Sequence, residues 1–140
     1  MGMARLIRSA RVKDVPTWPG RELSSLSMVT LDDVREVALT LPRSYEAVVR
    51  GRIKFRVGRI VFLAFSRDEK LMGFGFPKEL RQALVDSEPD KFLMPPRADL
   101  RYNWAEVRLS AIDDAEMRDL VLDAWSMVVP KHVAAAHRHI

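Results

Sequence analysis

The chain has 140 residues, 48% of them apolar, and a net charge of +4 from 23 basic and 19 acidic side chains. That length suits one domain with a core of its own, and no apolar run approaches the length of a membrane span. With no cysteine there is no disulfide framework, thiolate metal site or cysteine nucleophile, and a cytoplasmic location is the default expectation.

Residues 1–27 keep no sustained period, and Pro16, Pro19 and Gly20 break any helix that begins near Ala4. Arg5, Arg8, Arg11 and Lys13 make the stretch basic, but no apolar segment follows them, so it is not a secretory signal. It reads as a dispensable basic extension, mobile or loosely docked. The compact domain is expected over residues 28–132, with a short tail over 133–140.

Thr30 is a good N-cap, and Asp32 and Asp33 complement the dipole of a helix whose apolar positions are Leu31, Val34, Val37, Ala38 and Leu41. Pro42 stops it. Val48 and Val49 suggest a short strand bent at Gly51. From Arg52 to Val57 the residues alternate basic and apolar. On a strand that pattern puts Arg52, Lys54 and Arg56 on one face and Ile53, Phe55 and Val57 on the other. Gly58-Arg59 fits a two-residue hairpin loop of type II′. Such a loop sets Val57 opposite Ile60. Ile60, Phe62 and Ala64 then join the core face, while Val61, Leu63 and Phe65 fall beside Arg56, Lys54 and Arg52.

After the turn Arg67–Lys70, a third strand carries Met72, Phe74 and Phe76 toward the core, and Gly73 and Gly75 leave a shallow channel on the basic side. Pro77 opens a short helix striped by Leu80, Ala83 and Leu84. Residues 89–101 form a loop long enough to serve as a binding lip. Trp104 to Leu109 is again an alternating strand, with Glu106 and Arg108 on its polar side and able to pair with each other. Asp113 with Glu116 resembles a capping box for a helix with its apolar stripe at Met117, Leu120, Val121, Ala124 and Val128; the acids of that helix read as its solvated face. Pro130 ends it. Trp104 and Trp125 read as core anchors, and Lys131 as a helix cap. The predicted architecture is a two-layer α+β fold, an antiparallel sheet packed by helices in the order α-βββ-α-β-α.

Several residues in this order resemble the MmcQ/YjbR-like family: Leu41-Pro42, Glu46, Gly51, Phe55-Arg56-Val57, Gly58, Phe62, the Trp104-x-x-Val107-x-Leu109 strand, Ala124-Trp125 and Pro130-Lys131. The resemblance spans Met28 to His132. It implies a small α+β protein with a double-wing fold like that of DNA-binding proteins, and a DNA-binding label that names no target sequence. Two departures stand out. Asn103 occupies the place before the strand tryptophan where many members carry histidine, and the basic extension is foreign to the family.

The residues themselves point the same way. Six basic side chains lie between Arg43 and Arg59 against Glu46 alone. Cations at every second strand position sit about 6.7 Å apart, a pitch that suits successive phosphates. The expectation is a non-enzymatic nucleic-acid-binding monomer using Arg50, Arg52, Lys54, Arg56, Arg59 and Arg108 on phosphates, with little sequence preference. The alternative is a module that holds an anionic group of a small molecule or protein in the same place, with Tyr45 and Glu46 lining a pocket. An enzyme would need a buried, perturbed acid near Glu46. No catalytic motif, cofactor fingerprint or metal-ligand spacing is present: Ser24, Ser25 and Ser27 lie in the extension, and His132, His137 and His139 in the terminal segment.

Overall fold

Thr30 begins the first helix as its sequence demands. In the computed structural model, which describes residues 29–138, its side chain accepts from Asp33 N–H while the Asp33 carboxylate accepts from Thr30 N–H at 2.9 Å. This reciprocal box starts α1 (Leu31–Ala38), whose Leu31, Val34 and Ala38 are buried. The expectations for residues 1–27 and for His139 lie outside the described residues.

Six strands follow: β1 (Ser44–Val49), β2 (Arg52–Val57), β3 (Ile60–Phe65), β4 (Leu71–Gly75), β5 (Phe92–Leu93) and β6 (Trp104–Arg108). They form one sheet in the order β1-β2-β3-β4-β6-β5, antiparallel throughout. Turn chemistry explains both tight hairpins. Arg50 (φ 53°) and Gly51 (φ 79°) are both left-handed, as a type I′ turn requires. In the second loop only Gly58 has positive φ, at 61°, as the type II′ expectation demands. The helices are α2 (Lys78–Ser87), α3 (Asp114–Ser126) and α4 (Lys131–Arg138). The first helix packs against α3, α3 against β3 and β4, and α2 against β5 and β6.

The α+β class and the antiparallel sheet are as expected, with β1, β5 and α4 fuller than the sequence suggests. The segment after Pro130, read as a tail, is helical: Ala134 is buried, and the His137 ring lies 5.1 Å from Trp125. Trp125 is itself wholly buried and donates to Pro42 O at 2.9 Å, tying α3 to the end of α1. Phe55 and Phe65 meet edge to face at 6.1 Å, as do Phe74 and Phe92 at 6.3 Å; each such phenylalanine contributes about 2–3 kcal/mol of apolar burial.

One register expectation fails. Val57 does face Ile60, but the pairing shifts between Phe55 and Arg56, so Phe62 has no partner on β2. This bulge turns the rest of β3 over by one residue. Leu63 and Phe65 therefore enter the core and Ala64 stands beside Lys54; Ile60, ahead of the bulge and paired with Val57 as expected, is nevertheless exposed.

Candidate functional site

The face opposite the core carries a row of side chains set by the ladder. Lys54 pairs with Ala64, Ala64 with Gly73, and Gly73 with Glu106. A cation thus stands at one end, a carboxylate at the other, with two small residues between. Three strand spacings separate their backbones, about 14 Å. Above this row lies a cavity of about 650 Å³, within the range of ligand pockets. Arg52 and Lys54 line it from β2, and Val61, Ala64 and Phe65 from β3. Met127 and Val128, just past α3, close one side.

The expected lip is present. Pro96 and Asp99 come from the 89–101 segment, followed by Tyr102, Asn103 and Trp104. Its shape depends on Arg81, a buried residue of α2 that donates to Tyr102 O, Trp104 O and Leu100 O at 2.8–3.1 Å. Phe76 N–H donates to Asn103 O, Lys78 N–H to Asn103 Oδ1 and Lys78 Nζ to Arg101 O. The start of α2 and its arginine therefore clasp residues 100–104 by their carbonyls.

Trp104 is not a core anchor. It is half-buried and lies over Gly73, where a Cβ would come within 2.6 Å of Nε1. The channel expected over Gly73 is consequently occupied by an indole, and only glycine permits that approach. Gly75 faces Ala124 of α3, 3.7 Å from an ideal Cβ.

Asp99 and Glu106 are the acids that line this cavity, and Glu106 stands on the ladder row. Burial pushes its carboxyl above the usual range, Asp99 pushes the same way, and Arg52 opposes both. It makes no hydrogen bond or ion pair among the described residues, so the pairing expected with Arg108 does not form. Glu46 behaves otherwise. Its hydrogen bonds from Arg35, Nε at 2.7 Å and Nη2 at 3.0 Å, hold its carboxyl below the usual range. Glu46 is paired across from Phe55, on the core side of the sheet, and does not line the cavity.

Of the expected cations, Arg52 and Lys54 reach the cavity together. Arg56 is set between Tyr45 and Val61, outside the cavity lining, and its Nε is shielded without a partner. Arg50 and Arg59 are exposed in hairpin turns at opposite ends of β2, and Arg108 is exposed beside Leu71. None of the six forms an ion pair with a carboxylate of the described residues. Asp99 and Arg81 escaped notice in the sequence, and Glu106 reads there only as a partner for Arg108. Only Glu106 left a signal there, as a carboxylate on the polar side of an alternating strand.

Glu116 is a further correction. Asp113 caps α3 by accepting from Glu116 N–H at 2.8 Å, but the Glu116 side chain turns inward to Lys91 Nζ, 2.5 Å away, rather than facing water. Glu88 approaches the same ammonium at 3.3 Å. Among the described residues no three His, Cys, Asp or Glu side chains group to hold a metal ion, and no helix is long and apolar enough to cross a membrane.

A family model described as YjbR matches residues 39–127. The crystal structure of Deinococcus radiodurans protein DR2400, with a DUF419 domain, is similar at a TM-score of 0.65 and 21% identity, covering 80% of this chain and 87% of that one. That likeness is one of fold. No curated relative matches the chain. The match to well over half of the sequence, on a six-stranded antiparallel sheet flanked by helices, means that the chain belongs to the YjbR family.

Proposed function

We propose that this protein is a binding module for a small amphipathic molecule with an anionic group, seated in the sheet-face cavity with the anion on Arg52 and Lys54. The observation that carries this reading is the convergence of two cations, an exposed Arg52 and a half-buried Lys54, neither paired with a carboxylate of the described residues, on an open hollow of about 650 Å³ whose other walls include Val61, Phe65, Leu71 and Val128. Apolar walls with a few convergent polar groups are the usual makeup of a small-ligand site. Glu106 and Asp99 on the same rim repel a long polyanion laid across the cavity. The role is binding rather than catalysis in this reading, performed in the cytoplasm by a monomer that needs no cofactor.

A second reading, binding of a nucleic-acid backbone, draws on the five cations of the β1–β3 hairpins: Arg50, Arg52, Lys54, Arg56 and Arg59. Three of them lie outside the cavity. The experiment is a titration with phosphate- and carboxylate-bearing small molecules and with single- and double-stranded DNA over a salt series, using wild type and Arg52→Ala/Lys54→Ala. Saturable small-molecule binding with a shallow salt dependence, lost in the double variant, is expected. A slope steeper by about 0.7 per neutralised phosphate on single strands, with no small molecule bound, would overturn the cavity reading in favour of the backbone one.

A further inference from the structure

We infer that the cavity takes a nucleotide, with the phosphate on Arg52 and Lys54 and an N–H-bearing edge of the base read by Glu106. The inference rests on the cavity reading above and adds the chemistry of its other end.

Three features carry it. The first is polarity along the floor. Lys54 and Glu106 stand at opposite ends of one ladder row, with Ala64 and Gly73 between them. Their backbones stand about 14 Å apart, room for an extended nucleoside monophosphate between the two charged groups. The second is a flat apolar wall. Trp104 is braced on Gly73 and half-exposed, while Tyr102 on the same rim has the Arg101 guanidinium 4.9 Å over its ring. Aromatic faces of this kind hold unstacked bases with little regard to sequence.

The third is the free hydrogen-bonding capacity at the acid end. An ionised carboxylate only accepts, through two oxygens side by side. Glu106 has no donor among the described residues and looks for one on the ligand. Asn103 lines the same rim, its Oδ1 already accepting from Lys78 N–H at 3.0 Å, which leaves its amide N–H groups to donate. An acceptor pair beside a donor matches guanine, whose ring N–H and amino group are adjacent, with a carbonyl next to the ring N–H. Uracil offers one N–H between two carbonyls, and these the carboxylate repels.

Two sources share this chemistry, a free nucleotide and a single strand with one base splayed into the cavity, and the experiment separates them. Calorimetry is run with guanosine monophosphate, uridine monophosphate, ribose 5-phosphate, and short single strands containing either guanine or only uracil. Wild type, Glu106→Gln and Arg52→Ala/Lys54→Ala are compared, with circular dichroism to establish that each is folded. The expected result is guanosine monophosphate preferred over the other two small ligands by about tenfold or more, the value of one good charge-assisted hydrogen bond. Glu106→Gln should erase the preference over uridine monophosphate while ribose 5-phosphate binds it as before. The double variant should lose all three. The same guanine preference and the same loss in Glu106→Gln, found only with the strands, assigns the site to nucleic acid. Equal affinity for guanosine monophosphate and ribose 5-phosphate, unchanged in Glu106→Gln, overturns the inference and leaves the cavity reading standing. Failure of every phosphate-bearing ligand overturns both.

Discussion

Glu106 is a carboxylate whose surroundings in the folded chain disfavour its charge. Its folded value is raised by burial and by Asp99, against the pull of Arg52. A carboxyl raised on folding contributes stability that is fully present below its unfolded value, about 4.3, and is lost as pH climbs through the folded value. Near neutrality the residue therefore costs stability. Glu106→Gln is expected to raise Tm at pH 7, with the gain vanishing below about pH 4. Thermal melts from acid to neutral pH check this. A gain of equal size at every pH would show that packing, rather than charge, is responsible. Alternation along β6 was enough to place this side chain on the polar face. Its burial was not legible, because the cavity around it is lined by a loop and by the end of another helix, far away in the chain. Glu116 shows the same limit from the other side: helical period marks it as an N-terminal acid, yet Lys91, 25 positions away, draws it into the interior.

Local chemistry made the elements readable. The capping residues of α1 and the glycine of the β2–β3 hairpin act on their immediate neighbours, and each sits where the sequence puts it. The bulge at Phe62 depends on which face of β3 best fills the core, and no local signal announces it. Arg81 was hidden for a related reason. On a short amphipathic helix an arginine reads as solvated, but this one spends its N–H groups on three carbonyls of residues 100–104. Arg81→Met keeps the stem and removes those donors, leaving shielded carbonyls short of partners. The expected cost is about 2 kcal/mol, together with faster amide exchange and proteolysis confined to residues 96–104. Uniform loosening of the whole chain would mean that Arg81 supports the core rather than the lip.

At the level of the whole molecule the core and sheet are almost entirely legible, while the boundary is not. A proline after α3 suggested that ordered structure ends there, yet α4 covers Trp125 with His137 and buries Ala134. Ending the chain after Pro130 uncovers part of Trp125, the largest fully buried side chain among the described residues. The expected loss is about 2 kcal/mol, a fall in Tm of roughly 5–10 °C, with an emission maximum shifted to the red. An unchanged melt would show that α4 is an ornament.

Were β2 and β3 paired without the bulge, Leu63 would stand beside Lys54 in place of Ala64, and aliphatic carbon would plug the hollow. The receptacle on this sheet is thus the imprint of one residue left without a partner, Phe62, which puts a methyl group where the floor would otherwise carry an isobutyl chain.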